Sequence, residues 1–353
     1  MKNHTQLFHF MGRSLIANAR QLPFPMKLNY VLTYRCNAQC IMCNIWKKPK
    51  NAELTVTEIE KFFFNSNKFS WIDLSGGEIF LRPDLQEVTT IISRYCKNLF
   101  LFHFATNGIL TETIVPQVEK IIKLKIPKIL MTVSIDGHPQ LHDRMRGMPG
   151  AFDKAIKTFQ KLRSHNSRSF QVFIGMTLTE HNMHEVEKSF NAIKQVIKDI
   201  RYDELHINIV QRSNHYYDNM NNAPCVNEKE LYSVIESIRK KRGIKPFSPV
   251  AHLEDKYLRL AKTFLETKRS PLPCQALSVS CFMDPCGNIY PCNTYDKMIG
   301  NIKEYNYQLA ALLKSQKAKE TINDIMGNKC PQCWTPCEAY QTIIANFFGL
   351  RRG

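Results

Sequence analysis

The sequence has no run of eighteen or more apolar residues and no charged-then-apolar leader with a small-residue cleavage site. The first absence excludes a helical membrane span and the second a secretory signal, so a cytoplasmic protein is expected. Internal repeats and low-complexity tracts are also missing, which argues against a solenoid or a disordered array. Acidic residues are scarce: 31 Asp and Glu face 48 Lys and Arg, for a formal charge of +17. That balance favours anionic partners, whether a phosphorylated substrate, an acidic peptide, a nucleic acid or an anionic bilayer, without choosing among them. The basic runs at Lys47, Lys48 and Lys50, at Arg239 to Arg242, and at Arg351 and Arg352 are short enough to be solvated faces.

Against these absences stand 353 residues at 44% apolar content, enough for one large α/β domain and a smaller appendage. The 12 cysteines fall mostly in close-spaced groups, and in a reducing compartment such groups read as metal sites before disulfides. Cys96 and Cys225 stand outside the groups and are expected to be idle thiols. The densest group is Cys36-Asn-Ala-Gln-Cys40-Ile-Met-Cys43. Three soft thiolates in a CxxxCxxC loop converge on one point and hold zinc or an iron–sulfur cluster. A structural zinc wants four protein ligands, whereas a four-iron cluster on three cysteines keeps one iron open for a substrate or cofactor.

Residues 5–20 place Leu7, Met11, Leu15 and Ala19 on one stripe, predicting a short amphipathic helix that packs across the end of the main domain, with a bilayer surface as the alternative. Strands are predicted at 27–33, 69–74, 99–105, 128–135, 170–178 and 204–210. Helices are predicted between them at 55–64, from Asp84, and at 112–123, 151–163 and 182–198. Six strands alternating with helices imply an α/β fold with a parallel sheet and right-handed crossovers, open or curled into a barrel. Polar signatures fall at successive strand ends: the cysteines after the first, Gly76-Gly77-Glu78 after the second, Thr106-Asn107-Gly108 after the third and Ser134-Ile135-Asp136-Gly137 after the fourth. Ligands bind at that face. Residues 226–273 read as a helical linker to a cysteine-rich segment, 274–353.

The CxxxCxxC loop at the first strand end followed by Gly-Gly-Glu at the second resembles the radical S-adenosylmethionine (SAM) superfamily, over roughly residues 26–211. The resemblance implies a partial (β/α)6 barrel over 26–225, with Cys36, Cys40 and Cys43 on three irons of a [4Fe–4S] cluster and SAM on the open iron. It puts Gly76, Gly77 and Glu78 at the methionine amino group, and Thr106, Asn107, Ser134 and Asp136 near the rest of SAM. Arg144 and Arg146 match the Arg-x-Arg-Gly stretch that follows. Met42 stands where the family usually has an aromatic residue near the adenine, a place a polarizable thioether can fill. The residue types suit these roles: consecutive glycines let backbone approach a ligand closely, and Glu78 offers an anion to an ammonium or another cationic group.

In the C-terminal segment, Cys274, Gly287 and Cys292 fit the first half of the SPASM and Twitch pattern and Cys330-Pro-Gln-Cys333 the second, with a hairpin expected around Gly287-Asn288. Seven cysteines are one short of two all-cysteine clusters. The expected arrangement is therefore one auxiliary [4Fe–4S] cluster on Cys274, Cys292, Cys330 and Cys333, with Cys281 or Cys337 as substitutes and Cys286 left without a role. A zinc site is the alternative.

The activity so implied is reductive cleavage of SAM to methionine and a 5′-deoxyadenosyl radical that takes hydrogen from a substrate C–H bond, in an oxygen-sensitive enzyme fed electrons by a flavodoxin or ferredoxin. The basic charge, the first helix and the apolar-basic stretch 342–353 favour a small-molecule or lipid-linked metabolite as substrate, with peripheral contact at the inner membrane surface. About 25 residues precede the first strand, too few for a fused leader-peptide recognition domain. A peptide maturase working with a separate recognition partner is the second reading. A non-catalytic iron–sulfur adaptor on nucleic acid is the third.

Overall fold

The computed structural model describes residues 2–50, 52–221, 226–243 and 248–349; Cys225, Arg351 and Arg352 lie outside the described residues. Helix α1 (Lys2–Ala19) leads into β1 (Lys27–Thr33), followed by α2 (Val56–Asn65), β2 (Trp71–Gly76), α3 (Leu85–Tyr95), β3 (Leu101–Thr106), α4 (Thr111–Ile122) and β4 (Lys128–Ser134). Two helices come next, α5 (Pro139–Arg146) and α6 (Ala151–Arg163), then β5 (Phe170–Leu178), α7 (Val186–Val196) and β6 (Leu205–Ile209). The remainder comprises α8 (Glu228–Arg242), α9 (Pro249–Thr267), β7 (Ser280–Met283), β8 (Asn288–Tyr290), β9 (Gly300–Asn301), α10 (Leu309–Leu312), α11 (Gln316–Met326) and α12 (Pro336–Ala345).

All six predicted strands form, and each pairs in parallel with its sequence neighbour. The strand order is β6-β5-β4-β3-β2-β1-β7-β8-β9, an open run with β6 and β9 at its edges. Side chains alternate across it. One face, including Leu28, Tyr30, Ile72, Phe102, Met131 and Ile174, packs on the helices as the main core. The other carries Asn29, Asp73, His103 and Thr132, with Asp73 Oδ1 3.4 Å from His103 Nδ1 and His103 Nε2 3.0 Å from Thr132 Oγ1. The capping box read at Thr55 and Glu58 is present at the start of α2, where Thr55 N donates to Glu58 Oε2 (2.9 Å) and Glu58 N to Thr55 Oγ1 (3.3 Å).

The expected hairpin also forms, with Phe282 opposite Tyr290 and Gly287 at φ +85° in the turn. The sheet extends further than expected, however: β7 pairs in parallel with β1, Lys27 opposite Ser280 and Asn29 opposite Phe282. The sheet therefore runs unbroken into the cysteine-rich segment. Helix α12 covers the polar face where β1 begins: buried Lys27 Nζ donates to Cys337 O (2.6 Å) and pairs with Asp73 (2.8 Å), and Asn29 Nδ2 donates to Glu338 Oε1 (2.9 Å).

Helix α1 differs from expectation in the face it buries. Met11 is 50% and Leu15 52% exposed, Ala19 is exposed, and Ala17 is fully buried beside Phe10. Polar anchors decide the rotation: Arg13 donates to the carbonyls of Lys68 and Phe24, and Asn18 Nδ2 donates to Ile344 O (2.9 Å). No described helix is long and apolar enough to cross a membrane.

Candidate active site

The loop 36–44 leaves the carboxyl end of β1 and is gripped from two sides. On one side the end of α5 meets it backbone to backbone, Gln39 N on Arg146 O and Ile41 N on Met145 O, both 3.0 Å. Gly147, at φ +62°, ends α5 so close that a Cβ there would sit 2.6 Å from Gln39 O. On the other side, Asn44 N donates to Tyr217 O (2.8 Å) and Asn219 Nδ2 to Met42 O (2.9 Å). The chain after β6 thus closes over the loop.

Gly76 and Gly77 fit this arrangement for a reason other than ligand approach alone. A Cβ on Gly77 would stand 2.2 Å from Arg35 O and 2.8 Å from Cys36 Cβ; one on Gly76 would stand 2.6 Å from Thr33 O. Bare backbone lets Gly77 N donate to Thr33 O (2.9 Å) and Glu78 N to Arg35 O (2.7 Å). The end of β2 is thereby laid against the root of the cysteine loop.

Glu78 is fully buried, and Thr106 Oγ1 (2.9 Å) and Asn107 N (2.8 Å) both donate to its Oε2. Burial pushes its carboxyl up to about 7, against the pull of Asn107 N–H, Thr106, Phe80 N–H and Arg146. Asn107 Nδ2 continues the chain to Asn37 Oδ1 (2.7 Å), inside the cysteine loop. Gly76, Gly77, Glu78, Thr106 and Asn107 therefore meet at one place.

Asp136 and Arg146 bring the fourth strand end to the same loop. Arg146 meets Asp136 Oδ2 at 2.5 Å, a charge contact made outside good hydrogen-bond angles, and its Nη1 reaches Cys40 Sγ at 3.6 Å. Burial works against its charge, yet Asp136 and Cys40 outweigh that and hold its pKa above the ordinary value. Met42 packs with Leu141 and Met145 into an apolar seat beside Cys40. Ser134 is half-buried on β4, and Arg144 is exposed. His142 was not anticipated. It is buried, accepts from Asp136 N at Nδ1 (3.0 Å), and is pushed down to about 3 by burial and by Arg146. A lone histidine on a helix gives no sequence signal of such a role.

Burial raises the thiols of the loop, Cys36 to about 11 and Cys43 to about 12, so binding soft cations there must drive off protons. Among the described residues no three Cys, His, Asp or Glu stand close enough to share a single metal ion. In a four-iron cluster each thiolate takes a different iron, so its ligands stand further apart than those of one zinc.

A second constellation lies in the C-terminal segment. Cys274, Cys292, Cys330 and Cys333 line one small pocket. Two donors or donor-acceptors address its sulfurs: Gln332 Nε2 donates to Cys330 Sγ (3.1 Å), and Thr294 Oγ1 lies 3.2 Å from Cys292 Sγ. Hydrogen bonding from Cys333 lowers the Cys292 pKa, whereas burial raises those of Cys274 and Cys330. Cys281, on β7, points into the main core, and Cys337 lies against Lys27 and Thr335; neither lines the cavity. Cys286 sits in the β7–β8 turn, its N–H on Asp284.

The family model described as "Radical SAM superfamily" matches residues 30–193. The chain is 23% identical over 329 residues to the antilisterial bacteriocin subtilosin biosynthesis protein AlbA of Bacillus subtilis, covering 89% of this chain and 67% of AlbA. It is 27% identical over 310 residues to the AdoMet-dependent heme synthase of Methanosarcina barkeri, covering 80% and 81% of the two chains. Among solved structures, anSMEcpe with bound AdoMet and the Kp18Cys peptide superposes with a TM-score of 0.60 at 16% identity, covering 92% of this chain and 98% of that one. With the strand-end loop and the Gly-Gly-Glu corner in place, residues 30–193 carry the radical SAM superfamily match, and the chain as a whole is similar in fold to anSMEcpe.

Proposed function

We propose that this enzyme modifies a peptide by radical SAM chemistry, using two [4Fe–4S] clusters: one on Cys36, Cys40 and Cys43, the other auxiliary and held by Cys274, Cys292, Cys330 and Cys333. Cys36, Cys40 and Cys43 would hold the first cluster, which would supply one-electron reduction of the SAM sulfonium and so the means of taking hydrogen from a substrate C–H bond. The observation that carries this reading is the meeting of four strand ends at the cysteine loop, with Gly77 against Arg35 and Arg146 against Cys40.

The chain's own groups then have defined tasks. Gly76 and Gly77 present backbone at the methionine end of SAM, and Glu78 fixes that corner through Thr106 and Asn107. Ser134 and Asp136 would serve the ribose or carboxylate of SAM, and Asp136 is charge-balanced by Arg146, which also keeps a positive charge on Cys40. The Met42–Leu141–Met145 cluster would offer the adenine an apolar, polarizable neighbour. Residues 26–225 act as the SAM-binding half, curled as a partial barrel, with 226–273 joining it to the auxiliary region 274–353. Electrons come from a flavodoxin or ferredoxin, for which a strongly basic chain is a fitting partner.

A peptide substrate is supported by AlbA's place in bacteriocin biosynthesis and by the peptide bound to anSMEcpe. The metabolite reading is supported by the match to a heme synthase over 80% of the chain. Exposed Phe8, Met11, Leu15 and Ile16 on a helix without acidic residues support peripheral contact with an anionic bilayer. Flotation with anionic liposomes, with and without residues 1–20, tests that contact.

Anaerobic reconstitution followed by dithionite and SAM tests the core of the proposal: 5′-deoxyadenosine should form, and its absence with a fully loaded first cluster would overturn it. A short precursor peptide encoded beside the gene should change mass when added. A porphyrin that changes while the peptide does not would move the assignment to the metabolite reading.

A further inference from the structure

The segment from Ser213 to Asn219, between β6 and α8, belongs to neither cysteine site yet bonds to both. Toward the first loop it offers three carbonyls and a side chain. Tyr217 O accepts from Asn44 N (2.8 Å), Asp218 O from Asn44 Nδ2 (2.8 Å) and Asn214 O from Lys48 Nζ (2.8 Å), while Asn219 Nδ2 donates to Met42 O (2.9 Å). Tyr216 OH adds a 2.5 Å contact with Ser75 Oγ at the end of β2.

Toward the second site the partners are Asp296, Cys292 and Asn293. Asp296 Oδ1 accepts from Asn214 N (2.9 Å) and His215 N (2.8 Å), and meets His215 Nδ1 at 2.6 Å. His215 Nε2 lies 3.0 Å from Cys292 O, and Asn293 Nδ2 donates to Tyr217 OH (3.2 Å). The His215 ring is stacked on Tyr290 at 4.2 Å and lies edge-on to Phe282 at 5.1 Å, so it cannot swing away without opening the hairpin.

The segment is also closed on itself. Asn219 Oδ1 accepts from Ser213 N (3.1 Å) and Ser213 Oγ from Tyr217 N (3.1 Å), and Ser213 and Asn219 are buried. A self-tied loop anchored by buried Ser213, His215 and Asn219 moves as one body: a shift at its Asp296 end displaces the carbonyls that hold Asn44 at the other.

We infer that residues 213–219 form a clasp that fixes the two cysteine sites relative to each other, with His215 and Asn219 as positioning residues at its two ends. The coupling is reciprocal: ordering of either cysteine site lowers the cost of ordering its neighbour. The inference rests on the two-cluster reading above only for its spectroscopic consequence; the mechanical linkage stands on the protein alone.

Hydrogen exchange by mass spectrometry on the full chain, metal-free and loaded, tests the linkage. Asp296→Ala touches no residue of the first loop, yet exchange across residues 36–48 should accelerate about tenfold, the scale set by losing a charged acceptor. Residues 128–134 should keep their protection. Asp296→Asn, which retains an acceptor oxygen, should restore most of the protection at 36–48. If Asp296→Ala does not yield folded protein, His215→Gln gives the same readout. Changes confined to 213–217 and 290–297 would overturn the clasp.

In the loaded enzyme, the SAM concentration that half-converts the electron paramagnetic resonance signal of the first cluster should rise at least about fivefold in Asp296→Ala. An unchanged value beside accelerated exchange would overturn the reciprocal coupling. Absence of any SAM-dependent signal in the wild type would instead count against the cofactor reading and leave the exchange result to decide the clasp.

Discussion

Gly77 lies so near Arg35 that a Cβ on it would stand 2.2 Å from the Arg35 carbonyl oxygen. The obstacle is backbone on both sides, so neither a rotamer nor a flexible tip can give way. Gly77→Ala should cost about 1–3 kcal/mol in urea unfolding and lower iron retention at the first site, because the displaced segment roots Cys36. Gly12→Ala is the control: nothing lies within 4 Å of its Cβ, and helix propensity favours alanine there by about 0.5–1 kcal/mol.

The four cavity cysteines and the other three in the segment should separate by iron content. Alanine at Cys274, Cys330 or Cys333 should bring the loaded protein from roughly eight irons to roughly four. Alanine at Cys281, which points into the core, or at Cys337, which lies against Lys27, should leave iron near the wild-type value. Iron and sulfide assays on each variant decide the ligand set.

The grouping of these four was expected from the resemblance to SPASM and Twitch segments, and Cys274, Cys292, Cys330 and Cys333 do line one pocket. The six parallel strands were equally legible, since apolar alternation and caps such as Thr55 are local properties. What escaped was long-range. The pairing of β7 with β1 depends on backbone bonds that leave no mark in residue type. The rotation of α1 was misjudged because the Met11–Leu15 stripe looked like the buried face, whereas Arg13 and Asn18 bind carbonyls from distant segments. Residues 213–219 carry no motif at all, and their role emerges only from what they touch.

Arg146 and Asp136 form a pair in which only the arginine has any exposure, and removing one partner strands the other. Arg146→Met should cost about 3–5 kcal/mol, measured by urea unfolding. The double variant Arg146→Met, Asp136→Asn should recover part of that loss, since both charges then disappear together. Arg146→Lys should lie between, keeping the charge but losing the geometry that spans Asp136 and Cys40.

Loading of the first site should depend steeply on pH. Burial pushes the Cys36 thiol up to about 11 and the Cys43 thiol up to about 12, and both must lose protons to bind a soft cation. Affinity therefore rises with pH throughout the range below those values, by about tenfold per unit for each thiol that stays protonated. Anaerobic reconstitution with limiting iron and sulfide at pH 6.5 and 8.5, followed by thiolate-to-iron charge-transfer absorption, should show fuller loading of the first site at the higher pH. Equal loading at both would mean that the thiols are already ionised.

The position of β1 between β2 and β7 has a consequence for synthesis. Its second neighbour, Ser280–Met283, emerges from the ribosome some 250 residues after it, so the first strand waits with one row of amides and carbonyls unpaired. During that interval the chain displays an open strand edge that ends in three uncovered cysteines. A truncated or stalled product should therefore associate edge to edge and oxidise, and soluble expression should require the chain through at least β7.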